Sequence, residues 1–134
     1  MTVPADFLTA PADLNGLRVL VVEDTLLVAE MIAEILEIAG VTVIGPVSRV
    51  GAAVELAQRE RLDGALLDVN LAGENAGPIA EALRTRGIPF IFLTGYGDAG
   101  ALPSAFRDAP HMAKPFRERD LREAMVARFV ARAG

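Results

Sequence analysis

Arg18-Val19-Leu20-Val21-Val22 runs straight into Glu23-Asp24, and three later stretches repeat that form. Ala65-Leu66-Leu67 stops at Asp68, Phe90-Ile91-Phe92-Leu93 stops at Thr94, and His111-Met112-Ala113 stops at Lys114-Pro115. Short apolar runs without polar alternation read as strands buried on both faces, the signature of a parallel sheet. In such sheets ligands bind in the crevice beyond the carboxyl ends of the strands. If the runs are parallel, three carboxylates, a hydroxyl and an ammonium meet at one edge. Those groups suit a divalent cation and a phosphoryl group.

Between the runs the spacing turns helical. Val28, Ile32, Ile35, Leu36 and Ala39 recur on one face, and Gly40 ends that segment. A second strand spans 41–44, closed by Gly45-Pro46. Ser48 is placed to cap a helix with Val50, Ala53, Val54 and Ala57 inward. A third helix covers about 77–86, with Ile79, Ala80 and Leu83 inward and Gly87 at its end. Gly97, Gly100 and Pro103 leave 97–108 only a short or loose helix. The last helix runs about 117–132, with Leu121, Met125 and Phe129 inward. Five βα units with short connections predict an α/β, flavodoxin-like (βα)5 three-layer sandwich, its five-stranded parallel sheet ordered 2-1-3-4-5. Residues 1–15, with Pro4 and Pro11, read as an N-terminal extension, and 16–134 as one domain.

Composition narrows the function. The chain has 134 residues and is 52% hydrophobic, which excludes disorder. A net charge of −5 and the lack of a basic run argue against direct nucleic-acid binding. With no cysteine, disulfides and thiolate metal sites are excluded. No signal peptide or membrane-spanning stretch is evident, so the expected setting is cytoplasmic, without membrane attachment.

Each polar residue alone has an ordinary reading. Glu23-Asp24 fits a helix N-terminus, where acids complement the macrodipole. Asp68 fits a turn, and Thr94 a β-branched strand position. Lys114 is the sole lysine, the other twelve basic residues being arginines. Together the case changes: charges about 4 Å apart at an effective dielectric near 20 interact by about 4 kcal/mol. Three converging carboxylates therefore need a cation among them. Oxygen-only ligands select a hard ion, with Mg²⁺ favoured. A compact ammonium at Lys114 can pair with Asp68 and then with a phosphoryl oxygen. Gly95 leaves the Thr94 hydroxyl unobstructed.

The ordered set Glu23-Asp24, Asp68, Thr94 and Lys114-Pro115 resembles the receiver domain of two-component response regulators, over about residues 17–132. The resemblance implies that Asp68 accepts a phosphoryl group from a sensor histidine kinase or histidine phosphotransfer protein. It implies that Glu23, Asp24, Asp68 and the backbone carbonyl of Asn70 hold Mg²⁺, while Thr94 and Lys114 bind phosphoryl oxygens. The chain would be a stand-alone phosphoacceptor switch with slow self-dephosphorylation, not a metabolic enzyme. Pro89 to Gly97 further resembles a single-domain subgroup with a Phe-Ala-Thr-Gly-type motif, associated with stress phosphorelays in alphaproteobacteria, although Leu93 replaces the alanine.

Most receivers carry an aromatic residue three positions before the lysine, and here that position is His111. Burying an unpartnered imidazole is costly. Tyr96, on the loop past Thr94, is the expected moving aromatic, and the expected output face spans 97–134. Two rivals stand beside this reading. One is an interaction module whose pocket is never phosphorylated. The other is a Mg²⁺-dependent aspartyl-phosphate hydrolase, disfavoured because Asn70 stands where such an enzyme needs a proton-transferring aspartate.

Overall fold

The protein is described here from a computed structural model over residues 14–95 and 102–130. The four apolar runs become four strands of one five-stranded sheet: β1 (Arg18–Val22), β3 (Gly64–Asp68), β4 (Phe90–Thr94) and β5 (His111–Ala113). The fifth is β2 (Thr42–Val47), and the order is β2-β1-β3-β4-β5, with every pairing parallel. That is the predicted flavodoxin-like order.

Alternation across the strands explains why the runs are wholly apolar. Leu20, Val22, Ala65, Leu67 and Phe92 face one core, shared with Ala53 and Ala57 of α2 (Val50–Arg59) and Ile79, Ala80 and Leu83 of α3 (Gly77–Thr85). Val19, Val21, Leu66, Ile91 and Leu93 face the other core. Ile32, Ile35 and Leu36 of α1 (Leu26–Ile38) pack there with Leu121 and Met125 of α4 (Glu118–Met125). Helix α4 continues as a π-helical turn, Val126–Val130, which carries buried Phe129. Each inner strand is thus covered on both sides, so a polar residue is tolerated only where the strand ends.

Two local expectations differ from the structure. Strand β2 does not stop at Gly45-Pro46 but runs through it to Val47. It can do so because β2 is an edge strand, where proline's missing N–H need not break a ladder, and the pairing with β1 bulges between Leu20 and Val22. Gly45 has φ +99°, and a Cβ there would lie 2.8 Å from the Val47 nitrogen, so only glycine fits. Second, Arg49 rather than Ser48 is the N-cap of α2, with no side-chain cap. The described part of 97–108 holds a 3₁₀ turn, Ser104–Phe106, the short helix expected there. It is anchored by buried Phe106, whose ring meets those of Phe90 and Phe92 edge-on.

Leu14 is also buried in the α1/α4 core. No helix among the described residues is long and apolar enough to cross a membrane.

The chain after α4 approaches the sheet closely at Gly64, the first residue of β3, where a Cβ would fall 2.6 Å from the Phe129 ring. A side chain at 64 must displace that ring. Gly64→Ala is expected to lower stability by about 1–3 kcal/mol, the usual cost of overpacking. Urea unfolding of the two proteins checks this, and an unchanged midpoint would show that Phe129 has room to move.

Candidate functional site

Strand register brings the polar residues together. Val22 pairs with Leu67, Asp68 with Leu93, and Thr94 with Ala113. Glu23, Asp68, Thr94 and Lys114 therefore leave the sheet at one edge, within two residues of level. The Lys114 amide donates to the Thr94 carbonyl at 2.7 Å, which extends the β4–β5 pairing to the lysine itself.

At that edge, oxygens of Glu23, Asp24 and Asp68 lie within 4.8 Å of one another. Glu23, Asp68 and Thr94 are the only buried polar or charged side chains among the described residues. Lys114 Nζ lies between two of the carboxylates, 2.9 Å from Glu23 Oε1 and 3.5 Å from Asp68 Oδ2. The sequence pointed to Asp68 as its partner, but the shorter contact is to Glu23. Glu23 Oε2 accepts from the Thr25 amide at 3.0 Å. The helix-terminus reading of Glu23 thus accounts for one of its oxygens and the lysine for the other.

Asp68 Oδ1 accepts from the Asn70 amide at 3.2 Å. Asp24 is exposed, and its Oδ2 accepts from the Ala72 amide at 2.8 Å. The Thr94 hydroxyl donates to the Met112 carbonyl at 3.4 Å, so it stands at the edge but is engaged by the neighbouring strand. Asn70 is exposed on a short antiparallel ribbon, Asn70–Leu71 with Glu74–Asn75. His111 is exposed, with Nδ1 3.3 Å from the Ala109 carbonyl oxygen. Tyr96 lies outside the described residues.

Electrostatics follow from this crowding. Burial pushes the Asp68 carboxyl up to about 7, helped by its hydrogen bond to Glu23 and by that neighbour's charge. The Asn70 amide and the Lys114 charge pull the other way but do not win. Burial also works against the Lys114 charge, yet the bond to Glu23 and the charges of Asp68 and Glu23 outweigh it and its pKa rises. Lys114 cannot satisfy three carboxylates alone. The remaining donor set is all oxygen, without histidine or thiolate, and fits a hard divalent cation such as Mg²⁺.

Sequence reasoning did not find the Ala72-Gly73 turn, which reaches back to Asp24. Its only signal is the glycine, since an alanine does not announce a left-handed conformation.

The model of the response regulator receiver domain family matches residues 19–126, and the chain belongs to that family. Its fold is similar to the solution structure of SdrG from Sphingomonas melonis Fr1, with 41% identity and a TM-score of 0.74, covering 83% of this chain and 94% of that one. It is also similar to the receiver domain of the sensor histidine kinase PA1611 from Pseudomonas aeruginosa PAO1, with 28% identity and a TM-score of 0.69, covering 87% of this chain and 98% of that one. The PA1611 structure has a magnesium ion coordinated in its active-site cleft. A curated relative, the uncharacterized transcriptional regulatory protein YbdJ of Bacillus subtilis, is 31% identical over 111 residues. The match covers 81% of this chain and 48% of YbdJ, so the chain spans about half that relative's length.

Without metal, Asp68 should make the fold pH-sensitive. Its folded-state pKa of about 7 exceeds the ordinary 3.8, so the folded state holds a proton that the unfolded chain releases. The stability this contributes is full below about 3.8 and is lost as pH rises through about 7. In EDTA, the stability of Asp68→Asn should therefore gain on the wild type steadily between pH 4 and 8. A constant difference across that range, by urea unfolding, would show that the carboxylate titrates normally.

Proposed function

We propose that this chain is a stand-alone response-regulator receiver that takes a phosphoryl group on Asp68 and switches partner binding in a phosphorelay. The observation that carries the reading is the buried carboxylate at the end of β3, facing the only lysine and flanked by two further carboxylates and a hydroxyl. Residues 16–134, with Leu14 of the preceding extension packed into their core, would form the receiver unit, and the setting would be cytoplasmic. SdrG, of which this chain covers 94%, supports the stand-alone reading, and the resemblance of Pro89 to Gly97 to the stress-associated subgroup is why we favour a stress phosphorelay.

The donor would be a histidine kinase or a phosphotransfer protein. An Asp68 oxygen attacks phosphorus, the bond from phosphorus to the donor's imidazole nitrogen breaks, and the product is an aspartyl phosphate. Asp68 must first lose its proton, which Lys114 favours. Asp24 and Asp68, with Glu23 and the Asn70 carbonyl, would hold Mg²⁺, whose charge offsets that of the transferring group. Lys114 would exchange a carboxylate for a phosphoryl oxygen, and the Thr94 hydroxyl would leave Met112 to do the same. The new group carries about −1.5 to −2 charges and so pulls on both. Movement of Thr94 and Lys114 shifts the ends of β4 and β5, so the 97–134 face is where we place the readout, with Tyr96 as the aromatic that responds. His111 is exposed at an edge, and moving inward would bury an imidazole without a partner, which is costly.

The aspartyl-phosphate test is direct. Asp68→Asn should abolish the acid-stable, hydroxylamine-sensitive phosphate formed from acetyl phosphate and Mg²⁺, while circular dichroism stays unchanged. Full labelling of that variant at another carboxylate would remove Asp68 from its role.

The donor also needs a surface. Leu26, Leu27 and Met31, exposed by 73%, 76% and 45%, begin two residues past Asp24 on α1. An exposed apolar group of this kind marks a partner site. Leu27→Glu with Met31→Glu should slow phosphotransfer from a protein donor at least about tenfold, the loss of one strong contact. Labelling by acetyl phosphate should not change. Equal slowing with both donors would mean that the substitutions damage the site instead.

A further inference from the structure

The exposed member of the acidic cluster poses a physical problem. Glu23 and Asp68 are held by burial and by Lys114. Asp24 is exposed and beside two other carboxylates, so repulsion and side-chain freedom both favour its turning toward water. What holds it is the backbone N–H of Ala72, at 2.8 Å.

That N–H is presented by an unusual turn. Ala72 has φ +53° and Gly73 φ +89°, the paired positive values of a two-residue hairpin turn whose twist suits its strands. Alanine is disfavoured there, and Ala72 is the only non-glycine residue with positive φ among the described residues. The turn is itself tied to the nucleophile's loop. Gly73 donates to Asn70 Oδ1 at 3.2 Å, and the Asn70 amide donates to Asp68 Oδ1. One ribbon therefore holds a carboxylate oxygen from β3 and another from the end of β1. Asp24 Oδ1 keeps no protein partner among the described residues.

We infer that Ala72 is a positioning residue for the cation site, its backbone N–H fixing the Asp24 carboxylate so that the three acids face a common point. The inference rests on the reading that this site takes a divalent cation. Groups that orient metal ligands commonly change affinity 10–100-fold when removed. Because the donor is a backbone amide, the identity of the side chain at 72 matters only through the conformation it permits. Glycine accepts positive φ and keeps the N–H, whereas proline has neither property.

The experiment is a Mg²⁺ titration of the full chain, followed by amide NMR shifts and by calorimetry. Wild type should bind about one ion and Asp24→Ala none. Ala72→Gly should stay within about twofold of wild type, whereas Ala72→Pro should bind at least about tenfold more weakly. Proline also distorts the turn, so the deciding protein carries the α-hydroxy analogue of alanine at 72, made by semisynthesis, in which an ester replaces the 71–72 amide. It keeps the side chain but puts an oxygen that cannot donate in place of the N–H, and it should match the proline variant. In EDTA, the Ala72 amide should be protected from exchange in wild type and unprotected in Asp24→Ala. An ester protein that binds Mg²⁺ as tightly as wild type, or more tightly, overturns the positioning role while leaving the site intact. A wild type that binds no divalent cation overturns the reading of the site, and the role of Ala72 with it.

Discussion

The contact of the Lys114 ammonium with Glu23 and Asp68 is the constraint around which this structure is arranged. Two carboxylates buried side by side would drive the strands apart, or hold a proton, unless a positive group stood between them. The lysine supplies that group from a strand that is not adjacent to either acid's own. It can do so only if β1, β3, β4 and β5 are parallel and in register, so the charge arrangement and the sheet topology require one another. The balance is incomplete, since Asp68 still titrates near 7. A fully neutralised site would be more stable, but it would have little affinity for a further cation or a phosphoryl group.

The two apolar faces of the sheet make this possible. With helices on both sides, the strands form a stiff platform whose side chains have nowhere to move, and the polar groups at its end inherit that rigidity. Among the described residues no buried side-chain nitrogen or oxygen lacks a hydrogen-bond partner. The cost of burial is thus confined to charge rather than to unmade hydrogen bonds, and charge is what a ligand can relieve.

Much of this was legible in the residues. The inner strands β1, β3 and β4 could be read because both faces are buried, so each run is apolar and its end is marked by polar residues. Asp68 stands out for the same reason, and Lys114 because it is the chain's one lysine. Other features were hidden. Lys114 prefers Glu23 to Asp68 by a few tenths of an ångström, and no spacing rule resolves that. Pro46 reads as a terminator and is one in an inner strand, but β2 lies at the edge, and edge position is a property of the whole sheet. The Ala72 turn escaped because its donor is backbone, common to nearly every residue, in a conformation that alanine does not advertise. Contacts made by main-chain atoms at irregular φ are the least visible in a sequence, and here one of them touches the site.

Both margins of the sheet share a trait with a wider consequence. On one side β2 carries Gly45 and Pro46 and a bulge, and on the other β5 is only three residues long. A bare strand with regular, unpaired amides invites another chain to add itself, which leads to swapped dimers or fibrils. Here one margin lacks a donor and is bent out of line, and the other is too short to template an added strand. Growth of the sheet from molecule to molecule is blocked at both ends. Strand addition is thus the disfavoured route to assembly, which leaves side-chain contacts of the helices and loops to form one without disturbing the strand order that sets the charges.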